Sequence, residues 1–155
     1  MIFVLDASVT LSWLLGDSGA ADRAYSNATL EALKYPGALA EVPVTWSLEI
    51  SNVIARAEAK SLVAEAQSEA FLEMLANAPI RTDEATASKA LADTLHLARR
   101  YRLSSYDASY LELALRTASP LATLDADLAK AARKAGVKRF RASSLKPPIQ
   151  RRRAD

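Results

Sequence analysis

Short apolar runs that alternate with longer amphipathic segments limit how this chain can fold. The first run, residues 2–5, is apolar throughout, which is typical of a strand buried on both faces of a sheet. Further strand candidates lie at residues 39–44, 80–82, 121–124 and 137–141. Strands that alternate with helical segments predict an α/β fold with a mostly parallel central sheet, here of about five strands.

The segments between these runs have the apolar periodicity of helices. Thr45 stands where it can cap one of them. In the segment 84–101, the spacing places Leu91, Leu95 and Ala98 on the buried side. The predicted helices span residues 8–15, 17–34, 46–60, 62–76, 84–101, 106–118 and 126–135.

Length and composition exclude several classes of protein. The 155 residues suffice for one compact domain, and half of them are hydrophobic, which is ordinary globular composition. There is no cysteine and only one histidine, so a disulfide framework, a zinc finger, a thiol nucleophile and a multi-histidine metal site are excluded. No apolar run reaches the roughly 18–20 residues of a membrane span, and no signal peptide is apparent, so we expect a cytoplasmic protein.

The charge is unevenly distributed along the chain. Residues 1–129 carry 10 Lys and Arg against 17 Asp and Glu, whereas residues 130–155 carry 10 against one. A basic end on an acidic body favours an anionic partner such as nucleic acid, although it is also typical of a solvated helix face or tail. The cluster within this end is Lys130, Arg133, Lys134, Lys138, Arg139 and Arg141. We single out Lys130, Arg133, Lys134 and Arg139 as candidate RNA contacts.

Four acidic residues fall at the ends of predicted elements. Asp6 and Asp125 follow strands, while Glu49 and Asp107 lie in the first turns of helices. Because the carboxyl ends of parallel strands and the starts of the following helices share one edge, these side chains can meet in one cleft. Singly, each has a structural alternative as a helix cap or as a charge near a helix N-terminus.

Clustered carboxylates repel one another, and binding a cation relieves that repulsion. Oxygen ligands of this kind suit Mg²⁺ or Mn²⁺, which keep several waters and meet substrate phosphates. Such ions activate water and neutralise the leaving oxygen in phosphodiester hydrolysis. This chemistry needs no histidine.

Four sequence blocks resemble the signature of PIN domains, most closely the VapC toxins of bacterial VapBC toxin–antitoxin systems. The blocks are residues 4–8 (VLDAS), 48–52 (LEISN), 105–110 (SYDASY) and 122–125 (ATLD), in the family's order and spacing. The resemblance covers residues 1–142 and implies a three-layer α/β/α domain. Residues 143–155 form a basic tail that no family motif covers.

The resemblance also implies roles for individual residues. Asp6, Glu49, Asp107 and Asp125 match the metal-binding acids, with Asp6 and Asp107 as direct ligands. Thr123 matches the small hydroxyl residue beside the last acid, which helps order the site. Weaker matches are Ser8, which is equally well explained as a helix cap, and the polar residues Asn52 and Asp127.

A VapC-like protein would be an Mg²⁺-dependent endoribonuclease, with Mn²⁺ as a substitute, that leaves a 5′-phosphate and a 3′-hydroxyl. The resemblance further implies a homodimer and an inhibitory VapB-like antitoxin. The alanine-rich segment 46–76 is a candidate dimer face. Two alternatives stay open: a non-catalytic PIN-like module that binds nucleic acid or serves in assembly, and an RNA-processing nuclease outside any toxin system.

Aromatic residues near the proposed cleft have two interpretations. Trp13, Trp46, Tyr106 and Tyr110 can stack on RNA bases, yet packing in the core or at an interface is the ordinary role of such residues. For Tyr110 the helical spacing favours packing. His96 falls on the polar face of its helix and is expected at the surface.

Overall fold

The computed structural model describes residues 1–16 and 18–142, and the predicted tail at 143–155 lies outside this part of the chain. Its centre is a sheet of four parallel strands in the order β3-β2-β1-β4. The strands are β1 (Ile2–Leu5), β2 (Leu39–Pro43), β3 (Ile80–Asp83) and β4 (Leu121–Ala122). Helices flank the sheet, so the predicted α/β fold with a parallel sheet is confirmed.

The helices agree with the predicted segments to within a few residues at each end. None of those in the described part of the chain is long and apolar enough to cross a membrane. They are α1 (Ala7–Leu15), α2 (Ala20–Ala32), α3 (Trp46–Ala59), α4 (Glu65–Asn77), α5 (Thr86–Lys89), α6 (Leu95–Tyr101), α7 (Ser105–Arg116) and α8 (Ala126–Lys134).

The core forms where β1 meets α7. Phe3, Val4 and Leu5 of β1 are inaccessible to solvent, as the unbroken apolar run predicts for a central strand. Helix α7 packs on β1, β2 and β4 and is buried over most of its length, including Leu111 and Leu113. Two well-buried elements of the core therefore position the site: β1 ends directly before Asp6, and α7 begins with the turn that contains Asp107.

The fifth strand predicted at residues 137–141 is wrong. This segment makes one isolated bridge, in which the backbone N–H of Leu121 donates to the carbonyl of Lys138 and that of Phe140 donates to Leu121, both at 2.9 Å. Strand β4 is only two residues long, so it offers too short an edge for a ladder. The Phe140 ring, stacked on Phe3 at 3.9 Å between centroids, anchors the segment instead.

The segment 84–101 is interrupted by a π-helical turn, Ala90–Thr94, between α5 and α6. One extra residue in a turn rotates the rest of the helix by about 100°. The predicted buried side is consequently wrong at Leu91, which is 89 % exposed, while Leu95 and Ala98 are half-buried. Thr94 and Leu97 pack inward in its place.

Thr45 occupies the N-cap position of α3 as predicted, but its side chain makes no capping hydrogen bond. Its backbone is helical rather than extended, which turns the hydroxyl away from the first N–H groups. The carbonyl of Thr45 accepts from the N–H of Glu49 at 3.0 Å. The first turn of α3 is thus formed by the backbone, and it carries Glu49.

Candidate active site

The structure brings the four predicted acids to one edge of the sheet. Asp6 lies between β1 and α1, and Asp125 lies between β4 and α8. Glu49 and Asp107 lie in the first turns of α3 and α7. Burial is the main cause that raises the pKa values of Asp6 and Glu49, and the acids also act on one another. The charges of Asp107 and Asp125 raise the pKa of Asp6 further, and those of Asp6 and Asp107 raise the pKa of Glu49 further.

Asp6 is the most enclosed of the four, with 3 % of its surface exposed. Its Oδ2 accepts hydrogen bonds from the Ser8 hydroxyl at 2.5 Å and the Thr123 hydroxyl at 2.7 Å. Burial raises its pKa to about 6, and although the two hydroxyls lower it, they do not cancel that effect. Asp6 stands at the N-cap position of α1 without capping it through its side chain. The capping alternative therefore fails for Asp6.

The two hydroxyls that hold Asp6 are themselves oriented by the backbone after β4. Ser8 Oγ accepts from the N–H of Leu124, and Thr123 Oγ1 accepts from the N–H of Asp125, each at 3.0 Å. A hydroxyl that accepts from a fixed N–H is left to donate in the opposite direction, here to Asp6. Ser8 and Thr123 thus fix the direction of one carboxylate.

Glu49 carries the second strongly perturbed carboxyl. Burial and the nearby charges of Asp6 and Asp107 raise its pKa to about 7, against the opposing effect of a hydrogen bond from Tyr110. In that bond the Tyr110 hydroxyl donates to Glu49 Oε1 at 2.8 Å. The prediction that Tyr110 packs is confirmed by its complete burial. Its contact with Glu49 was missed, although Tyr110 shares a face of α7 with Asp107, three residues earlier.

Asp107 and Asp125 relate differently to helix capping. The Asp107 N–H donates to Ser104 Oγ at 3.1 Å, so Ser104 is the residue that caps α7. Burial, followed by the charge of Asp125, raises the pKa of Asp107. Asp125 Oδ1 accepts from the N–H of Leu128 at 2.7 Å. Of the four acids, Asp125 is therefore the one whose side chain also caps a helix.

The cluster lacks a compensating cation among the residues that the structure describes. None of the ion pairs within this part of the chain includes Asp6, Glu49, Asp107 or Asp125. Nor does any group of three or more acidic or histidine side chains there form a ready cage for a metal ion. An oxygen-only donor set in which the pKa values of Asp6, Glu49 and Asp107 are raised fits Mg²⁺, which binds through one or two carboxylates and retains waters.

The remaining candidates are peripheral or structural. Asn52, Asp127 and His96 are exposed, and the charge of Asp127 reaches the cluster by raising the pKa of Asp107. The two tryptophans serve packing: Trp46 is buried and donates to Thr10 Oγ1 at 3.3 Å, and Trp13 donates to the carbonyl of Ser26 at 2.9 Å. Tyr106 is 59 % exposed beside Asp107.

A groove of about 860 Å³ is lined by one acid of the cluster, Asp125, and by Thr123. Arg133 and Arg139, two of the four candidate RNA contacts, line its walls. Lys130 and Lys134 are exposed on α8 but are not among the described residues that line the groove. The groove arises where α8 approaches the segment 137–141, a distant pairing that sequence spacing does not reveal.

The model of the PIN domain family matches residues 3–134. This chain belongs to the PIN domain family. The match spans all four acids, from Asp6 to Asp125. PIN domains are typically nucleases, and these nucleases generally use divalent metal ions.

Solved structures confirm the fold. One is PAE2754 from Pyrobaculum aerophilum, with 19 % identity and a TM-score of 0.59 over 84 % of this chain and 79 % of that one. Another is FitAcB from Neisseria gonorrhoeae, with 20 % identity and a TM-score of 0.56 over 94 % of this chain and 100 % of that one. Comparison with curated proteins gave no match. With identities of 19 % and 20 %, the two similarities establish that the fold is shared, and nothing beyond the fold.

Proposed function

We propose that this PIN domain is a metal-dependent endoribonuclease and the toxin of a type II, VapBC-like toxin–antitoxin system. The observation that carries the nuclease proposal is the acidic cluster around Asp6, which has no cationic partner within residues 1–16 and 18–142. Keeping an unpaired carboxylate almost fully buried costs stability, and a bound cation would remove that cost. The hydroxyls of Ser8 and Thr123 both donate hydrogen bonds to this carboxylate and so fix its orientation.

In this proposal Asp6 and Asp107 bind Mg²⁺ or Mn²⁺ directly, and Glu49 and Asp125 complete the acidic surroundings. The ion would polarise a water and stabilise the charge on the scissile phosphate. Ser8 and Thr123 orient Asp6, and Tyr110 restrains Glu49. With a pKa of about 7, Glu49 can take up or release a proton near neutral pH.

Cleavage of total RNA by the purified protein is the decisive experiment. We expect discrete products with Mg²⁺ or Mn²⁺, none with EDTA, and none from Asp107→Asn. Asp93→Asn is the matched control, because Asp93 is an exposed acid in the π-helical turn, where it pairs with Lys89 four residues earlier. It should cut like the wild type.

The same experiment separates the alternatives. RNA binding without cleavage in either metal would contradict the nuclease and favour a non-catalytic module. Metal-dependent cleavage by a protein whose neighbouring small reading frame yields no inhibitor would favour an RNA-processing nuclease outside toxin systems. Cleavage that a co-expressed neighbouring product suppresses would support the antitoxin.

Metal binding has a readout besides activity. A ligand present at 100 times its Kd and bound only by the folded state adds about 2.7 kcal/mol to the free energy of unfolding. Mg²⁺ or Mn²⁺ should therefore raise the thermal midpoint of the wild type in a scan at pH 7. Asp107→Asn should respond much less. An equal response of the two proteins would place the ion elsewhere.

We also propose a homodimer through α3 and α4. Leu48 and Leu62 are 71 % and 72 % exposed in this region, and Leu72 is 40 % exposed. Pairing would remove these apolar side chains from water. Sedimentation should show a dimer, and Leu48→Ser together with Leu62→Ser should shift it toward monomer.

A further inference from the structure

The groove between helix α8 and the segment 137–141, called the α8 groove from here on, adjoins the acidic cluster at Asp125, which lines it. Thr123 also lines the groove, and its hydroxyl donates to Asp6 at 2.7 Å. A molecule in contact with Thr123 would therefore lie close to the carboxylate that is central to the proposed metal site.

The walls of the α8 groove are predominantly basic. Arg133, Lys138, Arg139 and Arg141 line it, against the two acids Asp22 and Asp125. Such an excess of positive charge attracts an anionic chain. The rest of the lining is mostly apolar, with Leu121 and Leu124 beside the small residues Ala126, Ala129, Ala132, Gly136 and Val137. Small side chains on one face of α8 leave the space that forms the groove.

One of the basic residues is held in a defined orientation. The Arg139 guanidinium lies 4.0 Å from the ring centroid of Tyr25. The Tyr25 hydroxyl donates to the carbonyl of Phe140 at 3.1 Å, which fixes the ring against the groove segment. A planar guanidinium held in this way can bind a phosphate or stack on an unpaired base.

We propose that the α8 groove binds the backbone of single-stranded RNA on one side of the cut. This inference rests on the proposed ribonuclease function for the identity of the polymer. Basic walls bind the phosphates, while the apolar lining and Arg139 accept unstacked bases, a combination typical of single-strand binding channels. A volume of about 860 Å³ is large for a single ion and accommodates a short stretch of chain.

The proposal divides the basic residues of this region into two groups. Arg133, Lys138 and Arg139 contact the strand in the groove. Lys130 and Lys134, on the exposed surface of α8, contribute only to the general field. A direct phosphate contact contributes to the salt dependence of binding, so the two groups are distinguishable by measurement.

The test measures binding of a fluorescent single-stranded oligoribonucleotide without cleavage. Every protein carries Asp107→Asn, and the buffer contains EDTA. Adding Arg133→Glu and Lys138→Glu should weaken binding about tenfold and make the slope of log K against log salt shallower by about 1.4.

The matched control is Arg99→Glu with Arg100→Glu. This pair is exposed in the last turn of α6, just as Arg133 lies in the last turn of α8 and Lys138 follows it, and it lies outside the proposed dimer face. Both pairs make the same change in net charge and disturb a helix end similarly. The control should change Kd less than about twofold. Equal losses for the two pairs would overturn the groove in favour of net charge alone.

A second variant keeps the charge and fills the space. Ala129 is exposed on the groove side of α8, so Ala129→Phe should fold normally yet weaken binding several-fold. Unchanged binding by Ala129→Phe would overturn the proposal. So would Lys130→Glu with Lys134→Glu, if this pair weakened binding as much as the groove pair.

Competition identifies the ligand class. An unlabelled single strand should displace the probe more effectively than duplex RNA or an acidic peptide of equal charge. Displacement by the peptide at lower concentration would reassign the groove to a protein partner. Because these measurements need no metal, groove binding by a protein that never cleaves RNA would contradict the proposed nuclease and leave the groove intact.

Discussion

Two clusters of carboxylates lie at the same edge of the sheet, and the pKa values of their aspartates are shifted in opposite directions. Around Asp6, burial and neighbouring acids raise the pKa of the carboxyl. At Asp83, the last residue of β3, burial would also raise the pKa, but hydrogen bonds from Arg116 and Thr86 lower it. Arg116 also pairs with Glu112 at 2.7 Å, and Glu112 is only 3 % exposed.

One helix supplies both clusters. Asp107 lies in the first turn of α7, and Arg116 is its last residue. Among the residues that the structure describes, the Asp83 cluster contains its own counterion and the Asp6 cluster does not. The difference indicates that the Asp83 cluster stabilises the fold, whereas the Asp6 cluster keeps an electrostatic cost that a ligand can relieve.

The largest expected effect comes from removing the counterion of the Asp83 cluster. Arg116→Met leaves Glu112 buried without its partner, and losing one member of a buried ion pair costs about 3 kcal/mol or more. Urea unfolding at pH 7 should show this loss. Arg99→Met is the control, since Arg99 is exposed in the last turn of α6, and its cost should stay within about 0.5 kcal/mol. Equal costs would remove the contrast between the clusters.

At Asp6 we expect the substitution to increase the free energy of unfolding rather than to decrease it. Its pKa is about 6 in the folded protein against an ordinary value of 3.8, so the metal-free protein loses up to about 3 kcal/mol as pH rises from about 4 through 6. Asp6→Asn removes this loss. Urea unfolding in EDTA should therefore show a more stable variant at pH 7 and a weaker pH dependence between pH 4 and 7.

Asp83→Asn is the matched substitution in the other cluster. Because the pKa of Asp83 is lowered in the folded protein, its ionised form contributes stability at neutral pH. The variant should lose about 1 kcal/mol at pH 7 through the weakened bond to Arg116. If both Asn variants changed stability in the same direction, the comparison would be wrong.

The smallest expected effect concerns Tyr110. Tyr110→Phe removes the hydrogen bond to Glu49 and should cost about 1 kcal/mol. Since that bond opposes the rise in the pKa of Glu49, the variant should titrate Glu49 above its present value of about 7, as read by carboxyl NMR shifts. Tyr106→Phe, at an exposed neighbour of Asp107, should change neither quantity.

Local pattern predicted the parts of this protein that depend on near neighbours in sequence. Strand β1 follows from an unbroken apolar run, and the position of Asp6 follows from its place directly after that run. The π turn at Ala90–Thr94 did not, because periodicity assumes 3.6 residues per turn. The 137–141 segment has a strand-like pattern but meets a partner strand of two residues.

Contacts between distant residues account for the features of the site that sequence patterns do not reveal. Tyr110 and Glu49 are 61 residues apart, and only the packing of α7 on the sheet brings the hydroxyl to the carboxylate in the first turn of α3. The α8 groove likewise needs α8 and the 137–141 segment in place. The sequence identifies the candidate acids by residue type and by their position at the ends of strands and helices. Their hydrogen-bond partners and pKa values depend on the completed core.

The hydrogen bond from Thr123 to Asp6 spans 117 residues, which has a consequence for the growing chain. Synthesis runs at about 5–20 residues per second, so Thr123 is added roughly 6–23 s after Asp6. Until then β1 lacks its β4 neighbour, and Asp6 has no Thr123 hydroxyl to orient it. Any reaction that requires the complete cluster is therefore withheld from the nascent chain until most of the domain has been made.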